Sequence, residues 1–361
     1  MAAQEEFTGT CPVADAHAFD LDALAAYLRE RLPGFRGPLA VEQFKGGQSN
    51  PTYKLMANGR AYVLRRKPPG KLLPSAHAVE REYRVISALT HTDVPVPQTY
   101  CLCEDGTVIG TPFYVMDFVD GRVLWDPTLP GMTPTQRHAV FDDMNRVIAA
   151  LHAVDYVAAS LEDFGRPGNY FARQIDRWSR QYKASETEPI EAMDRLIAWL
   201  PNHIPGDERT CVVHGDYRLD NLVFHPTQSR VSAVLDWELS TLGHPLADFS
   251  YHLMTWRLGS DEFRGLRGAD LTALGIPTED EYVERYLERS RAIQRPTASE
   301  WRFYFAYNLF RLAAILQGIM GRAVAGNAAS ARAIDAGRRA RPIAELGWKE
   351  VEQISSAGAR G

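Results

Sequence analysis

The apolar positions of this chain change period part way along. From about residue 39 to residue 118 they fall in short runs bounded by turn residues, the pattern of strands. The runs are Leu39–Phe44, Thr52–Met56, Ala61–Arg65, Thr99–Cys103 and Pro112–Phe118. Asn58-Gly59 predicts a tight hairpin, since both residues tolerate positive φ, and Asp105-Gly106 predicts a second turn. Pro68-Pro69-Gly70 stops the third strand. Two helices interrupt this region. In the first, Leu21, Leu24, Ala25, Leu28 and Leu32 share a face, Asp20 caps the start and Pro33-Gly34 ends it. In the second, Ala78–Leu89, burial falls to Val79, Tyr83, Ile86 and Leu89. Residues 1–19 read as an irregular arm.

Beyond Gly121 the spacing becomes helical. Thr133-Pro134-Thr135-Gln136 is a capping box with Pro at the first helical position. It opens a helix to Ala153 that turns Val140, Met144, Val147, Ile148 and Leu151 inward. Helices follow at Tyr170–Tyr182 and Pro189–Leu200, after a cap at Thr278, and at Ala298–Met320, where Phe305, Leu309, Leu312, Leu316 and Ile319 form a stripe. Between them Val212-Val213, Leu222–Phe224 and Val231–Leu235 are short strands that frame polar loops.

Composition narrows the classes. Of the 361 residues, 45% are apolar and 24% charged, as in ordinary globular domains with a substantial core. A net charge of -5 gives no reason to expect nucleic acid or a membrane as partner. No apolar run looks long enough to span a bilayer, and the acidic start lacks an apolar signal core, which predicts a cytoplasmic protein. Cys11, Cys101, Cys103 and Cys211 are too few and scattered for a disulfide framework, and read as free thiols.

The chemistry concentrates in one stretch. An apolar pair leads into His214-Gly215-Asp216-Tyr217-Arg218-Leu219-Asp220-Asn221, an apolar triplet leads out, and the next strand ends on Asp236-Trp237-Glu238. Phosphoryl transfer needs this polar set. One carboxylate orients the attacking hydroxyl; an amide and a second carboxylate hold Mg²⁺ on the nucleotide phosphates. Upstream, Lys45-Gly46-Gly47-Gln48-Ser49-Asn50 lies between two strands, where glycines let backbone N–H groups approach phosphate oxygens. By itself such a Gly-Gly pair is more often a plain hairpin; the polar loop downstream shifts the reading to phosphate contact. No GxxxxGK[ST] is present, which disfavours a P-loop fold.

His214-Gly215-Asp216…Asn221…Asp236 resembles the aminoglycoside phosphotransferase and choline kinase family, which shares the protein-kinase fold. Leu235-Asp236-Trp237-Glu238 and Gly243-His244-Pro245-Leu246-Ala247-Asp248 look closer to the branch that includes the kinase-like module fused to acyl-CoA dehydrogenases. The resemblance runs from about Val41 to about Arg322. It implies an α+β, bilobal fold: an N-lobe over 20–118 with a small antiparallel sheet and a helix, binding nucleotide, and a larger, mostly helical C-lobe over 119–361. It also implies roles. Asp216 is the catalytic carboxylate; Asn221 and Asp236 are Mg²⁺ ligands. Gly46, Gly47, Ser49 and Asn50 cover the phosphates, and Arg65 stands where many relatives have Lys. Its partner is Glu82 rather than Glu80, seven residues before Leu89 as in the pattern Glu-x6-Leu. Backbone groups near Asp117 and Phe118 meet the adenine edge. His214 and Asp248 support the loop; Glu238 is either near a second metal or on the surface; Arg218 and Arg311 are candidates to touch substrate.

The expected activity is a small-molecule kinase that uses Mg²⁺ with ATP or GTP to phosphorylate a hydroxyl. From residue 261 onward 15 Lys and Arg stand against 13 Asp and Glu. That balance leans away from a polycationic aminoglycoside and toward a neutral or anionic acceptor, such as a hydroxyacyl-CoA or hydroxy acid. An aminoglycoside-type antibiotic kinase is the alternative. A catalytically silent nucleotide-binding scaffold is the alternative of another class, kept open by Arg65. The absence of an Ala-Pro-Glu activation segment argues against a protein substrate.

Overall fold

The computed structural model describes residues 9–45, 50–70, 77–290, 293–325 and 331–358. The strands are β1 (Thr10–Cys11), β2 (Ala40–Phe44), β3 (Thr52–Ala57), β4 (Arg60–Arg66), β5 (Thr99–Cys103), β6 (Phe113–Asp117), β7 (Arg122–Val123), β8 (Cys211–Val213), β9 (Leu222–Phe224), β10 (Val231–Val234) and β11 (Thr241–Gly243). The principal helices are α1 (Leu21–Arg31), α2 (Val79–Leu89), α3 (Pro134–His152), α4 (Tyr170–Ser185), α5 (Glu191–Trp199), α6 (Pro245–Arg257), α7 (Glu279–Arg289), α8 (Ala298–Val324), α9 (Ala331–Arg338) and α10 (Ala340–Gly358). The expected α+β class holds.

Contacts divide the chain into two compact units: Met1–Phe164 with Arg218–Ser240, and Gly165–Tyr217 with Thr241–Gly361. Residue 118, the boundary expected from the sequence, falls inside the first unit. The reason is that β7 pairs with β9 (Arg122↔Phe224) and β9 with β10, so these two strands after Asn221 belong with the first half of the chain.

The first unit is built on an antiparallel sheet in the order β1-β2-β3-β4-β6-β5. Along β3, burial alternates: Tyr53, Leu55 and Ala57 point into the core that Leu24 and Leu28 of α1 cover. The hairpin to β4 turns at Asn58 (φ 50°) and Gly59 (φ 74°), the left-handed pair that matches strand twist. β4 lies between β3 and β6, and its last four residues, Val63–Arg66, are all buried. The expectation of an irregular arm is corrected in part. Thr10 and Cys11 add an edge strand to β2, and the His17 carbonyl accepts from Tyr53 Oη (3.2 Å) and Arg66 Nη2 (3.1 Å). Arg66 is 3% exposed and also donates to the Ile109 carbonyl, so it is a structural cation rather than the solvated charge a strand end suggests.

The second unit is organised on α8, which packs against α4, α6 and α10. The membrane expectation needs a correction here. Among the described residues, α8 is long and apolar enough to cross a bilayer, with a mean hydropathy of 1.2 over its 18-residue window. Yet 83% of that window is buried inside the protein, because aromatic and aliphatic residues of the neighbouring helices surround it. Phe171 of α4, for example, meets Phe303, Tyr304 and Tyr307 with ring centroids 5.0–5.4 Å apart. On the outer side, Glu350 of α10 receives Arg302 (2.9 Å) and Arg257 (3.0 Å).

Candidate active site

In the first unit, the buried end of β4 carries Arg65. Its Nε lies 2.9 Å from Glu82 Oε2 of α2, and its Nη2 lies 2.9 Å from Asp236 Oδ1 and 3.5 Å from Glu238 Oε2. Glu80, the other candidate partner, pairs with Lys67 instead (2.9 Å). The Glu82 carboxylate is further held by Asn50 Nδ2 (2.7 Å) and Tyr114 Oη (3.1 Å). A buried carboxylate with two hydrogen-bond donors and a guanidinium beside it is well compensated, as burial requires. Burial would lower the Arg65 pKa, but Glu82 and Asp236 raise it well above the ordinary value, so the guanidinium stays charged. Burial also pushes Glu82 up, against the pull of Arg65.

Asp236 caps the turn Trp237–Leu239 at φ 64° and ψ 59°, a left-handed conformation that only Asn, Asp and Gly adopt readily. The Asn221 carbonyl accepts from the Leu235 N–H at 2.8 Å, which brings the Asn221 turn alongside the residue that precedes Asp236. Asp236 and Glu238 thus bring two carboxylates to one guanidinium, and Asn221 adds an amide. Oxygen donors of this kind, from one or two protein carboxylates and an amide, fit a Mg²⁺ ion carried in on phosphates.

A cavity of about 610 Å³ opens in this unit beside Arg65 and Asp236. Its walls are mainly apolar, with Val63, Ile86, Met116, Val223 and Val234 among them. Asp117 and Phe118 line it too. Tyr62 of β4 pairs with Asp117 while Arg65 pairs with Tyr114, so the two regions are three residues apart, roughly 10 Å along the strand. Phe118 stacks on Phe44 and lies under Lys54 Nζ at 4.4 Å. The Asp117 N–H is occupied by the Gln98 carbonyl (2.8 Å), and its carboxylate by Tyr100 and Arg60. The N–H and the side chain of Asp117 thus already have partners within the protein.

Not every expected nucleotide residue has that placement. Asn50 is fully buried, with its amide shared between Glu82 and His77 (3.0 Å), so it braces the carboxylate instead of facing phosphates. Gly46, Gly47 and Ser49 lie outside the described residues. Arg218 Nε is 3.3 Å from Asp220 Oδ1 within its own loop.

The second unit holds Asp216. Gly215, at φ 83°, lets two consecutive N–H groups converge: His214 N and Gly215 N donate to Asp248 Oδ2 (2.7 Å) and Oδ1 (2.8 Å). Asp248 sits in the first turn of α6, after the His244 cap and Pro245. His214 is fully buried, and its Nδ1 accepts from the Asp216 N–H at 3.2 Å. Asp248 thus holds two N–H groups of the loop and His214 a third. Tyr251 Oη donates to Asp216 Oδ1 at 2.7 Å. The sequence holds a signal for it: Tyr251 follows Asp248 by three residues on a helix, so both share a face. Arg311, a candidate substrate contact, is corrected to a buried residue. It is 5% exposed and donates to the Gly215 carbonyl at 2.5 Å.

A model of the phosphotransferase enzyme family matches residues 40–292. Acyl-CoA dehydrogenase family member 10 of Mus musculus is 48% identical over 342 residues, which cover 94% of this chain and 32% of that protein. The chain thus spans about a third of that relative's length. The crystal structure of a candidate aminoglycoside phosphotransferase from Ralstonia eutropha JMP134 matches with a TM-score of 0.86 at 58% identity, over 93% of this chain and 99% of the other. Choline kinase from Cryptosporidium parvum Iowa II shares the fold, with a TM-score of 0.66 at 12% identity over 94% and 97% of the two chains.

Proposed function

The chain belongs to the phosphotransferase enzyme family, and on that premise we propose that it transfers the γ-phosphoryl group of ATP or GTP to a hydroxyl of a small molecule. The observation that supports this most is the Arg65 guanidinium held between Glu82 and Asp236 at the wall of an apolar cavity. In this reading the base lies near Met116–Phe118 and the phosphates near Arg65, and roughly 10 Å of strand between them accommodates the ribose. Asn221 and Asp236 hold Mg²⁺, which, when bound, neutralises charge on the phosphates. Asp216 orients the acceptor hydroxyl. As the acceptor oxygen bonds to the γ-phosphorus and the bond to the leaving diphosphate oxygen breaks, the hydroxyl proton passes to Asp216.

For the acceptor we favour a hydroxyacyl-CoA or a hydroxy acid. Identity with part of an acyl-CoA dehydrogenase family member supports this, as does the near balance of charges after residue 261. The candidate aminoglycoside phosphotransferase at 58% identity supports the antibiotic alternative. Mass spectrometry decides between them: the protein with MgATP is offered hydroxyacyl-CoAs, hydroxy acids, choline-like alcohols and aminoglycosides, with Asp216→Ala as control. A phosphorylated product absent from the control establishes the activity and its acceptor class. Binding of MgATP with no product from any acceptor would favour a silent nucleotide-binding module.

A further inference from the structure

Arg311 is a cation in an unusual place. It projects from the middle of α8, is nearly excluded from solvent, and has no carboxylate ion-pair partner within 4.0 Å among the described residues. Its guanidinium lies over the ring of Tyr251 at 4.9 Å and near that of Trp178 at 5.7 Å. Burial lowers its pKa, but the Tyr307, Tyr170 and Tyr251 phenols and the Asp216 carboxylate outweigh this and raise it. A buried charge is retained at a cost unless it is paired or bonded. Here the compensating groups converge on one peptide: Nη2 donates to the carbonyl of Gly215, the residue before Asp216.

The ring under Arg311 belongs to the tyrosine whose hydroxyl donates to Asp216 Oδ1. Gly215-Asp216 is thus gripped on its N–H side by Asp248, on its carbonyl by Arg311, and on its carboxylate by Tyr251. Asp248 and Tyr251 come from one helix, α6, and Arg311 from α8, which packs on it. A carboxylate at a chain turn has rotational freedom about two side-chain bonds. A donor on one oxygen and a cation behind that donor remove it.

We infer that Tyr251 and Arg311 are positioning residues that fix the rotamer of the Asp216 carboxylate. This deepens the phosphotransferase reading and rests on it for its kinetic consequence, not for its geometry. Neither residue needs to touch nucleotide or acceptor. A hydrogen bond to a charged group, when lost, costs about 10- to 100-fold in a step that depends on it.

The test uses the full chain with Tyr251→Phe, which keeps the ring under Arg311, and Arg311→Met with Arg311→Lys as the conservative rescue. With MgATP hydrolysis or a panel acceptor as readout, Tyr251→Phe should lower kcat about 10- to 100-fold, leave KM for ATP within about 2-fold, and cost nothing further in an Asp216→Asn background. An unchanged kcat, or the same loss in the Asp216→Asn background, would overturn the inference. Should the wild-type chain turn over no MgATP, the phosphotransferase reading fails, and high-resolution structures of wild type and Tyr251→Phe still decide the brace. A carboxylate that changes rotamer in the variant supports it; one that stays in place refutes it.

Discussion

Arg65 Nη2 lies 2.9 Å from Asp236 Oδ1, joining a cation on strand β4 to a carboxylate 171 residues later. The same guanidinium holds Glu82, so the strand, the helix and the Asp236 turn of the first unit are tied at one point. Replacing Arg65 by Ala leaves Glu82 buried without its cation. The expected loss of unfolding free energy is about 3–5 kcal/mol, measured by urea denaturation, with Arg65→Lys recovering more than half. A loss below about 1 kcal/mol would mean the pair behaves as a surface salt bridge.

Asp236→Asn removes one of the charges that the Mg²⁺ reading requires. The Mg²⁺-dependent part of nucleotide affinity should vanish in isothermal titration, and turnover should fall at least about 100-fold. Removal of the ion with EDTA should do the same to the wild type. Equal ADP affinity with and without Mg²⁺ in the wild type would count against these ligands.

Asp248 accepts two N–H bonds with both oxygens while 2% exposed. Asn at that position presents an NH₂ group to one of those N–H donors. The predicted cost is about 2–3 kcal/mol in chemical denaturation, accompanied by a lower kcat at unchanged ATP affinity. A fully active Asp248→Asn protein would show that the loop holds itself.

His252, buried against the Tyr282 hydroxyl at 2.8 Å, has its pKa pushed down from 6.5 to about 4 by burial. In the unfolded chain the imidazole takes up a proton at higher pH than in the native state. Between those two values the unfolded state binds more protons, so stability is complete above about pH 6.5 and falls as pH drops toward 4. The acid loss from this group is about 3 kcal/mol. His252→Gln should flatten the slope of urea midpoint against pH between 4.5 and 6.5; an unaltered slope would place the titration elsewhere.

Local rules account for much of this protein. Alternation along Thr52–Ala57, the left-handed pair Asn58-Gly59 and the Thr133 capping box each follow from a few adjacent residues, and each forms where the sequence puts it. The spacing of Glu82 from Leu89 is likewise short-range, and so is the placement of Asp248 after His244-Pro245, because one or two helix turns carry the whole signal. The polar set Asp216, Asn221 and Asp236 can be proposed from sequence because its order and flanking strands lie in a single run of the chain. Tertiary structure decided what depends on distant partners. Asn50 became a brace for Glu82, Arg66 an internal cation and Thr10–Cys11 an edge strand. The apolar helix Ala298–Val324 became a protein core because other helices cover it. Arg311, a candidate substrate contact by sequence, reached the Gly215 carbonyl, 96 residues away in sequence, and Tyr251 the Asp216 carboxylate. Side-chain type and local period determine which element forms and which face is apolar. Which buried polar atom satisfies which other one is a matching problem over the whole chain, and folding alone solves it.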